Sequence, residues 1–227
     1  MSIARWFLLA GFAVFVLNAA TTVLRAGLAL RPADFAPGRG SPGRAVLYSL
    51  TSAMLPWKKE SARLHPVVYA LGVAYHAGIF LALLWLVLLF FGVGLTVPRP
   101  FGQGEDIPSG LSAGSTFLSG ASALLLAASI LCGLVLLLRR FAVANLRYFS
   151  SPDDYFANLA VTIFQALTAT ALLGWIGTAS LFIYGGLLLA YVPFGKLRHA
   201  IYFPFARVYL GLFYGRRGVW PATGGKL

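Results

Sequence analysis

The chain has three histidines, and their positions relative to its apolar stretches suggest metal ligation. His76 lies inside residues 66–95, a run without a charged residue, and His199 follows the last long apolar stretch. Neutral imidazole is a good axial ligand for haem iron, and an ionisable residue within a membrane span is a functional-site hypothesis by default. His76 and His199 are therefore candidate metal ligands. The alternative, that each is an interfacial residue reaching water or bonding a neighbouring helix, stays open on spacing alone.

The composition determines the class of protein that must position these histidines. Of the 227 residues, 59% are hydrophobic and 11% are charged, which would leave a soluble domain with one large apolar surface. We therefore predict an all-α, multi-pass membrane protein in contact with the lipid bilayer. The net charge of +12 does not indicate nucleic acid here, because the basic residues flank predicted spans.

Five apolar runs predict a bundle of five transmembrane helices. The runs are Trp6–Leu24, residues 66–95, Ser115–Leu138, Phe156–Leu173 and a stretch from Leu181 through Tyr191 towards Lys196. This pattern divides the chain into a first transmembrane helix (1–24), a basic cytoplasmic loop (25–65), a four-helix haem-binding membrane core (66–195) and a basic aromatic cytoplasmic tail (196–227). The first run could also pass for a signal peptide, but it is long enough to span. A weak helix, AVLYSLTSAML, is predicted to follow the Pro- and Gly-rich centre of the loop.

The distribution of basic residues predicts the orientation. Of the 18 Lys and Arg residues, all but Arg5 and Arg99 fall on the side of the 25–65 loop and the tail. The positive-inside rule then puts the N-terminus outside and the C-terminus in the cytoplasm.

The predicted spans also suggest that two histidines share one depth. About 20 residues span a bilayer, and counting back from an end near Leu95 puts the inner membrane edge near His76. The fifth apolar stretch ends near Phe194, just before His199. Two imidazoles at matched depth on antiparallel helices are what a six-coordinate b-type haem requires, whereas zinc lacks a third and fourth ligand near either residue.

Neighbouring residues provide further candidate haem contacts. Gly78 would let a helix approach a flat macrocycle, although close helix packing explains a glycine equally well. Lys196, Arg198 and Arg207 could pair with haem propionates, although positive-inside residues need no such role.

Short motifs around both histidines resemble a known family. The segments Tyr75–Ile79 (YHAGI) and Pro193–His199 (PFGKLRH) are similar to those of the γ subunit of respiratory nitrate reductase. The wider family includes the cytochrome b subunits of membrane heterodisulfide reductase and of the sulfite-reduction-associated Dsr complex. The third span ends similarly, in LLLRR followed by Arg147, Ser151 and Asp153.

The resemblance implies a five-helix bundle that holds haem between its second and fifth helices. Family members bind two haems, and His76 and His199 look like the pair for the cytoplasm-proximal one. The second pair would need histidines where this chain has Leu86 and Leu181. The resemblance therefore implies one haem b at most.

The resemblance also implies a role in electron transfer. The chain would serve as a subunit of a respiratory oxidoreductase complex in a bacterial or archaeal cytoplasmic (inner) membrane. It would exchange electrons with menaquinone or ubiquinone and with a cytoplasmic iron–sulfur subunit docked on the 25–65 loop and the tail. If quinone binds near this haem, Lys196, Tyr202 and His65 are hydrogen-bond donors that could reach its carbonyl, and a structural role is the favoured alternative for each. No residue is assigned a catalytic role. A haem-free anchor or assembly subunit remains the alternative, while a transporter is disfavoured because no predicted span contains an acidic residue.

Overall fold

The structure, a computed structural model, describes residues 2–28, 37–93 and 113–221. Throughout these ranges the regular elements are helices, and they include no strand. The α-helices are α1 (Ile3–Leu28), α2 (Pro42–Leu50), α3 (Glu60–Leu64), α4 (Pro66–Phe90), α5 (Ala113–Ala142), α6 (Ala144–Phe149), α7 (Pro152–Leu172), α8 (Thr178–Tyr191) and α9 (His199–Arg216). Short 3₁₀ turns occur at Ser52–Met54, Pro56–Lys58 and Lys196–Arg198.

The all-helical membrane class is confirmed for the described residues. Four helices, α1, α4, α5 and α7, are long and apolar enough to cross a membrane. A fifth span is obtained only if α8 and α9 count together as one interrupted span. The predicted helix after the loop centre is present as α2, whereas residues 29–36 and the predicted outer loop at 97–110, with Arg99, lie outside the described residues.

α4 ends at Phe90, earlier than the predicted boundary near Leu95. Gly92 has a positive φ of 77°, a conformation that glycine adopts without strain. The N–H of Val93 donates to the Leu88 carbonyl at 2.9 Å, closing the wide hydrogen-bonded loop of a Schellman cap. The backbone conformation of Gly92 therefore ends α4, and the continuous apolar sequence gave no indication of this end.

This earlier end changes the depth inferred for His76. Counting about 20 residues back from Phe90 puts the inner membrane edge near Leu71. His76 would then lie roughly 7 Å further inside the hydrocarbon than the sequence predicted. Its depth in the membrane stays a prediction.

α8 is shorter than the predicted fifth span. It contains 14 residues, or about 21 Å of helix, against a hydrocarbon core of about 30 Å. Pro193 lacks the N–H that would continue the helical hydrogen bonds, so the helix ends before it. The inferred depth of His199 relied on an apolar helix reaching Phe194, whereas His199 is the first residue of α9. The depth match between the two histidines therefore loses its basis.

The chain divides into two units, and each is described by itself. The first unit comprises Met1–Phe15 and Val68–Lys196, and the second comprises Val16–Val67 and Leu197–Leu227.

The first unit is a helical bundle built around α7. Half of the most apolar window of α7 is buried, more than in the other candidate spans. Its buried face combines small residues with the fully packed ring of Phe164. Glycines allow close approach elsewhere in the unit: a Cβ on Gly186 would lie 2.5 Å from the Phe7 carbonyl oxygen of α1. The core cluster consists of Ala4, Leu8, Ala82, Trp85, Leu86, Ala123, Leu126, Phe164, Ala169, Leu172, Leu181 and Phe182.

The second unit is organised by the packing of α2 against α9. Ala45 and Ser49 of α2 are fully buried, and Gly211 and Gly215 of α9 are buried opposite them. A Cβ on Gly211 would lie 2.6 Å from the Cα of Val46, so the two backbones approach as closely as glycine permits. Small residues four apart on both helices produce this contact. The helix α9 was not predicted from the basic aromatic tail, although Gly211-x-x-x-Gly215 is a recognisable motif for close helix packing.

Candidate functional site

His76 lies exposed on α4, with its ring fixed by a backbone contact. Its Nδ1 is 2.7 Å from the carbonyl oxygen of Gly72, one turn earlier. Since a carbonyl can only accept, Nδ1 carries the hydrogen, and in the neutral ring Nε2 then keeps its lone pair. An Nδ1–H bound to a backbone carbonyl is the usual support of a histidine that ligates a metal through Nε2. The donor chemistry of His76 therefore fits haem ligation.

The surroundings of His76 on α4 are otherwise apolar. The exposed side chains Val73, Phe80, Leu84 and Val87 continue the line of His76 along one face of the helix. Intervals of three and four residues keep them on a single stripe. An imidazole nitrogen that faces hydrocarbon without a partner is unfavourable. The stripe is therefore expected to be covered by a group that bonds Nε2.

Gly78 lies on the other side of α4 from His76. Two residues along a helix turn the direction by about 200°. A Cβ at Gly78 would collide with Ser129 Oγ of α5 and would crowd the Gln165 side chain of α7. The geometry assigns Gly78 to helix packing, which was the alternative to a macrocycle contact.

Lys196 is engaged by two aspartates of α7. Its backbone N–H donates to Asp153 Oδ2 at 2.7 Å, and its Nζ lies 3.6 Å from Asp154 Oδ2. The Tyr191 hydroxyl donates a hydrogen bond to the same Asp153 carboxylate. A propionate contact would therefore have to compete with an existing ion pair of Lys196.

Asp154 joins the end of α5 to the start of α7. Its Oδ2 accepts from both the N–H and the hydroxyl of Ser151, at 2.8 Å each, as part of a capping box. Its Oδ1 lies 3.4 Å from Arg140 Nη1. Arg140, from the LLLRR end of the third predicted span, thus has a structural role within the first unit.

The other candidate residues belong to the second unit. His199 begins α9 and is exposed, and Arg198 is exposed in the preceding 3₁₀ turn. His65 is the exposed C-cap of α3, with its N–H donating to Ser61 O at 3.0 Å. The structure brings Lys196 to the aspartates of α7, while His76 and His199 are each placed within a separate unit.

The positions where a second haem would need histidines are packed with leucine side chains. Leu86 and Leu181 are 4% and 0% exposed and belong to the same core cluster. A Cβ on Gly185 would lie 3.3 Å from both Cδ atoms of Leu86, so little space remains between α4 and α8 there. These two leucines therefore form part of the core of the first unit, and the limit of one haem stays a prediction.

Sequence reasoning missed a buried amide in the first unit. Gln165 is fully buried, and neither its Oε1 nor its Nε2 has a hydrogen-bond partner within the described ranges. Trp85 Nε1 on α4 is also buried without a hydrogen-bond partner in the described ranges. Each unpaired buried group costs about 1–3 kcal/mol. A glutamine in the middle of an apolar span was the available signal.

Sequence reasoning also missed a cationic cavity in the second unit, which we call the basic pocket. It has a volume of about 200 Å³ and is lined by Tyr48, Ala53, Lys58, Lys59, Arg207 and Trp220. All six residues are half-buried. Lysines adjacent in the sequence were noted only as topology signals, and their convergence with Arg207 depends on the folding of α9.

No group of three or more His, Cys, Asp and Glu side chains that could hold a metal ion occurs in residues 2–28, 37–93 and 113–221. Comparisons with protein-family models, with curated proteins and with solved structures found no match. The chemistry of the chain's own side chains is therefore the basis for a functional proposal.

Proposed function

We propose that this chain is a membrane-anchor subunit that binds one haem b and passes electrons between membrane quinone and a cytoplasmic iron–sulfur partner. His76 and His199 are the proposed axial ligands. The short motifs around both histidines, which resemble those of the nitrate reductase γ-like cytochromes b, motivate the proposal. When bound, haem b supplies a one-electron carrier.

The orientation of the His76 ring is the observation that carries this proposal. The Nδ1–H bond to Gly72 fixes the neutral tautomer and directs the Nε2 lone pair away from α4. A purely packing histidine would not need an exposed imidazole in the middle of an apolar stripe. Occupation of Nε2 by iron would remove the cost of this unpaired nitrogen.

The remaining predicted contacts contribute less to the proposal. Arg198 is exposed and available to pair with a propionate, while Lys196 already pairs with Asp154. The proposed orientation, with the N-terminus outside and the C-terminus in the cytoplasm, rests on the charge distribution. It would place the basic 25–65 segment and the aromatic tail on the side of the iron–sulfur partner in a bacterial or archaeal cytoplasmic membrane.

The test is a reduced-minus-oxidised spectrum of the full chain, purified after expression with haem available. We expect the b-type bands of a six-coordinate haem in the wild type. His76→Ala and His199→Ala should each lose most of this signal, because one axial ligand is removed. His65→Ala is the matched control and should retain the signal.

Two outcomes would count against the proposal. Absence of b-type bands in folded wild-type protein would favour the haem-free anchor. Equal haem content in the His76→Ala variant and the wild type would show that this histidine is not a ligand. Helical circular dichroism on the same samples separates ligand loss from unfolding.

A further inference from the structure

The basic pocket of the second unit gathers three cations around one cavity. Lys58, Lys59 and Arg207 line a volume of about 200 Å³. The ion pairs found within the described ranges involve Asp154 of the first unit, and no carboxylate of those ranges pairs with these three cations. Three like charges in a half-buried site repel each other, and a bound anion would offset this repulsion.

The aromatic residues of the pocket hold the cations without neutralising them. Lys58 Nζ lies 5.1 Å from the centre of the Tyr48 ring, and Arg207 Cζ lies 5.6 Å from the centre of the Trp220 ring. The two rings contact each other edge to face at 5.9 Å. Such cation–π contacts orient the basic groups but leave their positive charge in place.

Arg207 is positioned by reciprocal bonds to α2. Its Nε and Nη2 donate to the Ser49 carbonyl at 3.0 and 2.6 Å, and the Ser49 hydroxyl donates to the Arg207 carbonyl at 2.8 Å. Only two of the five guanidinium N–H donors are used in these bonds. A fixed guanidinium binds an oxyanion with less loss of side-chain entropy than a mobile one.

The electrostatics of Lys59 agree with an anion site. Partial burial, and then the charge of Arg207, lower the pKa of Lys59 below its ordinary value. An anion in the pocket would oppose both effects.

We propose that the basic pocket binds a phosphate group. A compact group with up to two negative charges matches three converging cations better than a carboxylate, which carries one. The group has two possible sources, the headgroup of an anionic phospholipid and a free phosphate. The proposal is independent of haem binding, because none of the residues that line the pocket is a proposed axial ligand.

The experiment titrates the full chain, purified in a non-ionic detergent, with four probes and measures binding by calorimetry. The probes are inorganic phosphate, acetate, dihexanoyl phosphatidylglycerol and dihexanoyl phosphatidylcholine. We expect phosphate or phosphatidylglycerol to bind clearly more tightly than acetate or phosphatidylcholine. Binding of both phosphate and phosphatidylglycerol, with mutual competition, would indicate a site that accepts either source. Binding of phosphatidylglycerol alone would identify the lipid as the source.

Variants test whether this binding occurs in the basic pocket. The double variant Lys58→Gln/Lys59→Gln should bind the preferred probe at least about tenfold more weakly, because two charge-assisted hydrogen bonds are lost. Arg63→Gln removes one positive charge at an exposed position outside the pocket and should bind like the wild type. Lys58→Arg/Lys59→Arg keeps the charges and should retain binding.

Two results would overturn the proposal. One is equal affinity for acetate and phosphate in the wild type, a measurement that needs no variant. The other is an unchanged affinity in Lys58→Gln/Lys59→Gln.

Discussion

The two units of this chain handle charge in opposite ways. In the first unit Arg140 and Lys196 both pair with Asp154. In the second unit Lys58, Lys59 and Arg207 face one cavity without a carboxylate from the described residues. The difference indicates that the charges of the first unit complete its own structure, whereas those of the basic pocket are arranged for an added anion.

The largest loss of stability is expected from a substitution of Gly78, which allows close helix packing in the first unit. Gly78→Ala would drive a Cβ into Ser129 Oγ, which already donates to the Tyr75 carbonyl at 3.1 Å. Overpacking of this kind costs about 1–3 kcal/mol of unfolding free energy. Gly72→Ala, on the same helix with no atom within 4 Å of the added Cβ, is the matched control. Thermal unfolding in detergent should separate the two, and equal stability would contradict the packing role of Gly78.

A smaller loss of stability is expected when the first unit loses the ion pairs of Asp154. Asp154→Asn keeps the side-chain shape but removes the ion pairs with Arg140 and Lys196. Partly exposed pairs contribute up to about 1 kcal/mol, and the weakened cap adds to this loss. Glu60→Gln changes an exposed acid without an ion pair in the described ranges and should have little effect. A wild-type melting temperature for Asp154→Asn would remove the contrast between the units.

The smallest effect is expected to have the opposite sign. Lys59→Gln removes a charge that burial and Arg207 disfavour, as its lowered pKa indicates. In anion-free buffer this variant should be slightly more stable than the wild type, by no more than about 0.5 kcal/mol. Adding phosphate should reverse that order, because only the wild type keeps the full set of cations. The unfavourable charge of Lys59 also predicts a pH dependence. As the pH rises through the lowered pKa of Lys59, the side chain loses its charge, and the free energy of unfolding should increase.

The sequence predicted the helices better than their ends. Apolar runs found α1, α4, α5 and α7, because length and hydrophobicity together suffice for a span. The end of α4 at Phe90 depends on the backbone of Gly92, which a run of apolar letters does not display. α9 was not anticipated, because its aromatic and basic composition shows no simple apolar stripe.

The sequence indicated which residue types belong to the candidate sites, but it did not indicate which residues lie next to each other in the fold. A histidine inside an apolar run drew attention to His76, and the residue that supports its ring, Gly72, lies only one helical turn earlier in the chain. The basic pocket joins Lys59 to Arg207, far apart in the chain, through the packing of α2 against α9. Long-range convergence of this kind has no signature in the spacing of residues.

The 14 residues of α8 do not cross an average hydrocarbon core by themselves, in agreement with a fifth span that exists only if α8 and α9 count together. A helix of this length is roughly 9 Å shorter than an average hydrocarbon core. Such a mismatch is accommodated by local thinning of the bilayer and by flanking side chains that reach the interface. Trp175, which precedes α8, and Tyr191, its last residue, are of the amphipathic types that are enriched at the membrane interface.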